Sequence, residues 1–170
     1  MSSDSQRELR FLPVGLSVGG KPCLVIGGGS VGVRKVHNLL RAGADVMLVS
    51  PTVNEELEAL AGSGRIKWAA REFSMEHLVG AFLVVAATND DQLNASIVEE
   101  ATQRGSLACD ASSAERSQVI FGALLDAEGA TLAVFTDGHD PARARDIRNR
   151  IGNALKGQPE SQPGLGDITE

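Results

Sequence analysis

Tyrosine is absent from this chain and tryptophan occurs once; aromatic residues together make up 4% of it. A surface that stacks successive nucleobases on aromatic rings is therefore not expected. Positive charge is also in short supply: 16 Lys and Arg stand against 22 Asp and Glu, a formal net charge of −6. That balance disfavours non-specific binding to nucleic acid or to an anionic membrane surface. No apolar run reaches the roughly 18 residues that a membrane helix needs, and the N-terminus lacks a basic stretch followed by a long apolar one. The sequence thus predicts neither a membrane span nor secretion. Cysteine is limited to Cys23 and Cys109. Both sit in apolar, strand-like runs, which predicts two buried, reduced thiols and suits a cytoplasmic protein. The three histidines have no ligand-like spacing, so no resident zinc site is expected.

What is present is a chain of 170 residues with an apolar share of 42%, enough for one cored domain and a small appendage. The stretch that organises it is Cys23 to Lys35, CLVIGGGSVGVRK. A short β-branched run, Cys23 to Ile26, breaks at Gly27, Gly28 and Gly29. Gly27, Gly29 and Gly32 then satisfy G-x-G-x-x-G, and Val33, Val36, Leu39 and Leu40 follow at helical spacing. Strand, glycine turn and helix, with a second strand over 45–50, form the context in which this motif binds a dinucleotide pyrophosphate.

The rest of the chain extends the pattern. Residues 11–16 read as an apolar lead-in or edge strand, and Gly43 as a helix stop. A helix is expected over 53–61, a strand over 66–68, a helical turn over 75–79 and a continuous apolar strand over 81–87. A helix over 92–104 and a strand over 107–110 complete the alternation. Strands alternating with helices predict a parallel, doubly wound α/β sheet with right-handed crossovers. After Ala111 the pattern changes. Residues 119–125 and 130–135, joined over 126–129, have hairpin spacing. Asp140 and Pro141 then open a helix over 142–155 as N-cap and first residue. The expected organisation is a nucleotide-binding domain over 9–112, a small C-terminal α+β segment over 113–156 and a disordered tail over 157–170.

Candidate functional residues cluster where strands end, because ligands of open parallel sheets lie beyond the carboxyl ends. The second strand ends Val49-Ser50-Pro51-Thr52 with no acid; Ser50 or Thr52 can bond a ribose in its place, or the segment simply links strand to helix. Thr88 and Asn89 end the fourth strand and face the crevice; a helix-capping role for Asn89 or Asp90 is the alternative. Asp110 ends the fifth strand in apolar company, where desolvation raises a carboxyl pKa in the direction that acid/base chemistry uses, or it is simply a solvated loop acid. Ser112 falls on the same side by the period-2 alternation. On the last helix, Arg145 and Arg148 are neighbours, either as a solvated face or as a carboxylate clamp. His139, between Asp137 and Asp140, is a lone metal ligand or an acid/base group.

Three stretches together resemble one family. FLPVGLSVGGKPCLVIGGGSVGVRK is similar to the opening of precorrin-2 dehydrogenases, the dehydrogenase part of sirohaem synthases. LVVAATNDDQLN resembles that family's strand-four signature, and VIFGALL with LAVFTDGHDPARARDIR resembles its dimerisation segment. The resemblance runs from about Phe11 to Leu155. It implies a Rossmann-like domain with a C-terminal dimerisation segment, a homodimer, and NAD-dependent oxidation of a tetrapyrrole, precorrin-2, to sirohydrochlorin. A bifunctional dehydrogenase and ferrochelatase, or a non-catalytic NAD- or tetrapyrrole-binding module, are the alternatives. By resemblance Gly27, Gly28, Gly29, Ser30 and Val31 take the pyrophosphate, Pro51 and Thr52 the ribose side, and Thr88 and Asn89 the crevice. Thr136 keeps a hydroxyl that the family carries. The resemblance gives the polycarboxylate substrate as a use for the Arg-rich helix.

Two departures from the family pattern stand out. Ser112 falls where many members carry a functional Asp, which leaves Asp110 or Ser112 to take that role. Asp137 and Asp140 stand where Gly and Ser are usual. The chain also stops soon after Leu155, where longer members continue, which makes iron insertion the less expected activity.

Overall fold

The computed structural model describes residues 9–156. The expected disordered tail over 157–170 lies outside the described residues. The chain divides into two compact units between Ile120 and Phe121, eight residues beyond the expected division.

The first unit is a five-stranded sheet in the order β3-β2-β1-β4-β5. Its strands are β1 (Pro22–Ile26), β2 (Asp45–Val49), β3 (Lys67–Ala69), β4 (Leu83–Ala86) and β5 (Leu107–Asp110). All neighbours pair in parallel. The helices are α1 (Ser30–Arg41), α2 (Glu55–Gly62) and α3 (Asp91–Gln103), and a 3-10 turn covers Met75–Leu78. The fold is the doubly wound parallel one that the alternation predicts.

Every residue of β4 is buried, as the unbroken apolar run requires of a strand covered on both faces. On one face Leu24, Ile26, Val84, Ala86 and Ala108 pack with Ile97, Val98 and Ala101 of α3. The alternate residues Val25, Leu48 and Val85 are also buried, on the side where Val36 and Leu39 of α1 lie in the core. Each such side chain contributes about 1.5–3 kcal/mol on burial. Helix α1 stops as expected at Gly43, whose φ is 76°.

Some boundaries differ from the sequence reading. Residues 11–16 form no strand. Helix α2 begins at Glu55 because the Asn54 side chain caps it, accepting from the Leu57 backbone N–H at 3.0 Å. The first hairpin strand starts four residues late, since the backbone N–H groups of Gln118 and Val119 both donate to Ala108 O instead.

The second unit holds β6 (Ala123–Ala127), β7 (Ala130–Val134) and α4 (Pro141–Lys156). Ala144 and Gly152 are the buried positions of α4. A Cβ on Gly152 would meet Leu125 Cδ1 at 3.3 Å, so the helix lies close on the hairpin. Asp140 caps α4 through a 2.8 Å bond from the Arg143 backbone N–H. The hairpin turn is the pair Glu128 and Gly129, with φ of 52° and 74°. Two positive values define a type I′ turn, which favours Asn-Gly. Glu128→Asn is therefore expected to stabilise the chain by a few tenths to about 1 kcal/mol. Urea denaturation measures this, and a loss of stability would contradict the turn.

Candidate functional site

Strand register brings four chain segments to one edge. Ile26 pairs with both Val49 and Ala86, and Ala86 pairs with Asp110. Gly27, Ser50, Ala87 and Ala111 therefore leave the sheet side by side, with the reversal of strand order between β1 and β4.

The glycine turn is closed on three sides. At Gly27, φ is 114° and a Cβ would fall 2.3 Å from Ala87 O. At Gly28 it would fall 2.2 Å from Thr52 O, and at Gly32 it would fall 2.1 Å from Gly27 O. A Cβ on Gly29 would meet nothing within 4 Å. Gly29 is the N-cap of α1; no side chain caps this helix, and no acid stands in its first turn. The first N–H groups of α1, including those of Ser30 and Val31, are thus available to an anion, with the helix dipole behind them. The cradle fits the pyrophosphate of a dinucleotide on this geometry.

At the end of β2, Ser50 is buried and its hydroxyl donates to Thr52 O at 2.7 Å. Trp68 Nε1 donates to Ser50 O at 3.0 Å. Ser50 shapes the loop that closes on Gly28, while Pro51 and Thr52 are exposed.

At the end of β4, Asn94 does what the sequence reading assigned to no residue. It is 1% exposed. Its Oδ1 accepts from the Thr88 backbone N–H at 3.1 Å and from the Thr88 hydroxyl at 2.7 Å, and its Nδ2 donates to Thr88 O at 3.1 Å. Thr88 is fixed at the crevice by one buried amide. Asn89 is exposed. Asp90 is the cap of α3, accepting from the backbone N–H groups of Gln92 and Leu93 at 2.9 and 3.0 Å.

Asp110 does not meet the apolar surroundings expected of it. Its side chain is fully buried, yet Oδ2 accepts from Arg116 Nε at 2.6 Å. Oδ1 accepts from the backbone N–H groups of Ser112 and Ser113 at 2.8 and 3.2 Å, and from the Ser112 hydroxyl at 2.5 Å. Ser112 does fall on the Asp110 side, as expected, but through a turn and not a continued strand. Beyond Asp110, Arg116 Nη1 donates to Asp91 Oδ2 at 3.1 Å and Nη2 donates to Asp91 Oδ1. The Arg116 guanidinium, and next the Ser112 hydroxyl, hold the Asp91 carboxyl below the usual carboxylate range. A buried carboxylate needs a cation or several N–H donors, and Arg116 is the one cation in 111–118.

Behind the turn, Lys35 of α1 is 8% exposed. Burial pushes its ammonium pKa down, and the nearby Cys109 partly offsets this. Burial also raises the Cys109 thiol and, with Asp45 adding to it, pushes Cys23 up to about 11. Both cysteines are free and buried, as the sequence predicted.

The remaining candidates belong to the second unit. Thr136 donates through its hydroxyl to Asp140 O at 2.7 Å, and the His139 backbone N–H donates to Thr136 O at 3.0 Å. The His139 side chain and Arg145 are exposed. Arg148 is half-buried: Nη1 donates to Leu124 O at 3.2 Å, while its buried Nε has no hydrogen-bond partner. Among the described residues no group of three or more His, Cys, Asp and Glu is placed to hold a metal ion. No described helix is long and apolar enough to cross a membrane.

Fold and turn together define a dinucleotide-binding protein. Comparison with known proteins narrows this. Residues 14–123 match the family model described as "Putative NAD(P)-binding". The chain is 40% identical over 141 residues to siroheme synthase 1 of Aeromonas salmonicida, covering 83% of this chain and 30% of that protein. It is 40% identical over 158 residues to siroheme synthase 1 of Yersinia enterocolitica, covering 93% and 32%. A solved structure described as "SirC, precorrin-2 dehydrogenase" superposes with a TM-score of 0.74 at 27% identity, covering 85% of this chain and 71% of that one. The chain spans about a third of the length of the curated relatives it matches. It belongs to this NAD(P)-binding family. The expected cofactor, NAD, agrees with the family's description.

Proposed function

We propose that this protein oxidises precorrin-2 to sirohydrochlorin with NAD. The observation that carries the reading is the glycine turn at the switch of strand order, closed at Gly27, Gly28 and Gly32 and open at Gly29 beside an uncapped α1. The relatives support the substrate class. When bound, NAD supplies the acceptor for a hydride from the macrocycle, which also gives up protons. The chain's own residues bind and orient. Gly27 to Val31 hold the pyrophosphate, Thr52 the ribose, and Asn94 keeps Thr88 beside Asn89 at the crevice. Asp110 and Ser112 fix the loop after β5, and Arg145, with its exposed side chain, meets substrate carboxylates.

The protein works in the cytoplasm as a homodimer through its C-terminal segment. No residue of β6 or β7 is fully buried within the single chain, and an isolated two-stranded hairpin is marginal without further cover. Sedimentation at micromolar concentration should give twice the chain mass; a monomer would sink the dimer.

The test of function is incubation with precorrin-2 and NAD. Sirohydrochlorin and NADH should form together, and neither should form when one reactant is omitted. The absence of both products from an enzyme that still binds NAD would favour a second reading, a non-catalytic binding module. The engagement of the Asp110 carboxylate by Arg116 and Ser112 supports that reading.

A further inference from the structure

The loop after β5 carries a cation with two different edges. Arg116 Nε is bonded at 2.6 Å to the fully buried Asp110 carboxylate. That bond fixes the plane of the guanidinium, because an arginine presents its donors in a rigid fork. The opposite edge, Nη1 and Nη2, takes Asp91 bidentately. Asp91 is the first residue of α3 and its side chain is 67% exposed, against 33% for Arg116. One edge is therefore held by a partner that cannot leave, and the other by a partner already largely in water. Ser112 braces the arrangement: its Oγ lies 3.1 Å from Asp91 Oδ1 and 3.3 Å from Arg116 Nη2. The fork stands at the carboxyl edge of the sheet, next to the β4 end where Asn94 fixes Thr88, and Asn94 Nδ2 reaches Ser112 Oγ at 3.4 Å. Ligands of such sheets occupy this edge.

We infer that Arg116 is the anchor for a carboxylate of the substrate, and that Asp91 occupies that anchor in the free protein. The inference rests on the proposed function for the identity of the ligand, a tetrapyrrole bearing several carboxylates. The fork that now grips Asp91 is the geometry a ligand carboxylate takes. Asp91 yields readily, since exposed ion pairs are weak. It lowers apparent affinity by the fraction of anchors it fills. It also disfavours ligands without a carboxylate, which have nothing to exchange for the pair. Arg116 is thus a specificity-determining residue, and Asp91 is its internal competitor.

The test titrates sirohydrochlorin, the product, into the NAD-loaded full chain and follows the change in its absorption spectrum. Asp91→Asn should tighten binding about two- to fivefold, the weight of one exposed pair. Arg116→Lys keeps a cation against Asp110 but loses the fork, and should weaken binding about tenfold, near the worth of one charge-assisted hydrogen bond. NAD affinity, set at the glycine turn, is the control in both. Equal or weaker binding by Asp91→Asn overturns the inference, and this variant decides alone if Arg116→Lys does not fold. Wild-type affinity in Arg116→Lys also overturns it, because net charge alone would then explain the Asp91 effect. If the wild type neither binds sirohydrochlorin nor forms NADH from precorrin-2, the functional reading fails and the anchor with it. If the wild type does both while the variants are unchanged, the anchor alone fails.

Discussion

Gly32→Ala is expected to cost at least about 3 kcal/mol, the upper end of ordinary overpacking, while Gly29→Ala is expected to fold normally and bind NAD poorly. The two glycines sit three residues apart in one motif, but they are needed for different reasons. A Cβ at Gly32 would lie 2.1 Å from Gly27 O. That is a contact between two backbones, so no rotamer change relieves it. Either α1 or the end of β1 must move, and both are packed: Ile26 and Val36 are 2% and 0% exposed. The cost therefore falls on the whole nucleotide-binding unit. A Cβ at Gly29 meets nothing within 4 Å, and Gly29 has φ of −82°, which alanine adopts without strain. Its stability should change by less than about 1 kcal/mol. The new methyl would project into the space above the uncapped helix end, and NAD affinity should fall tenfold or more, about 1.4 kcal/mol. Urea denaturation and calorimetric titration of NAD read the two effects separately. Gly32→Ala with the wild-type midpoint would contradict the close approach of α1 to β1. Gly29→Ala with unchanged NAD affinity would move the pyrophosphate elsewhere.

These glycines also mark what the sequence could disclose. Gly27 to Gly32 were legible because a backbone requirement leaves one residue type possible, and the period of the flanking apolar residues said strand before and helix after. The continuous run through β4 was legible for the same kind of reason: burial on both faces leaves no polar position. Asn94, Arg116 and Asp91 were not legible in role. Each acts on a partner brought to it by the fold: Asn94 on Thr88 across the first turn of α3, and Arg116 on two acids, one at the end of β5 and one at the start of α3. Nothing in local spacing distinguishes a solvated arginine in a polar loop from one that neutralises a buried carboxylate. The same limit explains Asp110. Its apolar neighbours along the chain, Leu107 to Cys109, suggested a desolvated acid, whereas its neighbours in space are donors. Ser50 shows a milder case. It stands at the end of β2, as expected, but its hydroxyl proton goes to Thr52 O, which leaves the exposed Thr52 as the hydroxyl on that side.

Arg116→Leu is expected to destabilise the chain by about 3–5 kcal/mol, the usual cost of leaving a buried charge without its partner. The Asp110 side chain has no exposure, so water cannot replace the lost guanidinium. The bonds from Arg116 to Asp91 add little, because that pair is largely exposed and such pairs contribute at most about 1 kcal/mol. Asp110→Asn is the informative companion. It removes the charge but keeps an oxygen for the backbone N–H groups of Ser112 and Ser113, and it leaves Arg116 one-third exposed with Asp91 still in reach. It should cost less than Arg116→Leu, on the order of 1–3 kcal/mol. The double variant should be more stable than the sum of the two predicts, with a coupling of roughly 1–3 kcal/mol, as expected for residues in direct contact. Chemical denaturation of the four proteins closes the cycle. Strict additivity would mean that Arg116 does not stabilise the Asp110 charge. The same variants separate structure from chemistry. If Asp110 only holds the loop, Asp110→Asn loses stability and turnover persists in whatever fraction stays folded. Complete loss of turnover in Asp110→Asn at an unchanged denaturation midpoint would instead make the carboxylate a participant in the reaction. The close bonds from Arg116 and Ser112 favour the first outcome, because a fully buried carboxylate paired with a guanidinium offers a substrate proton no open approach.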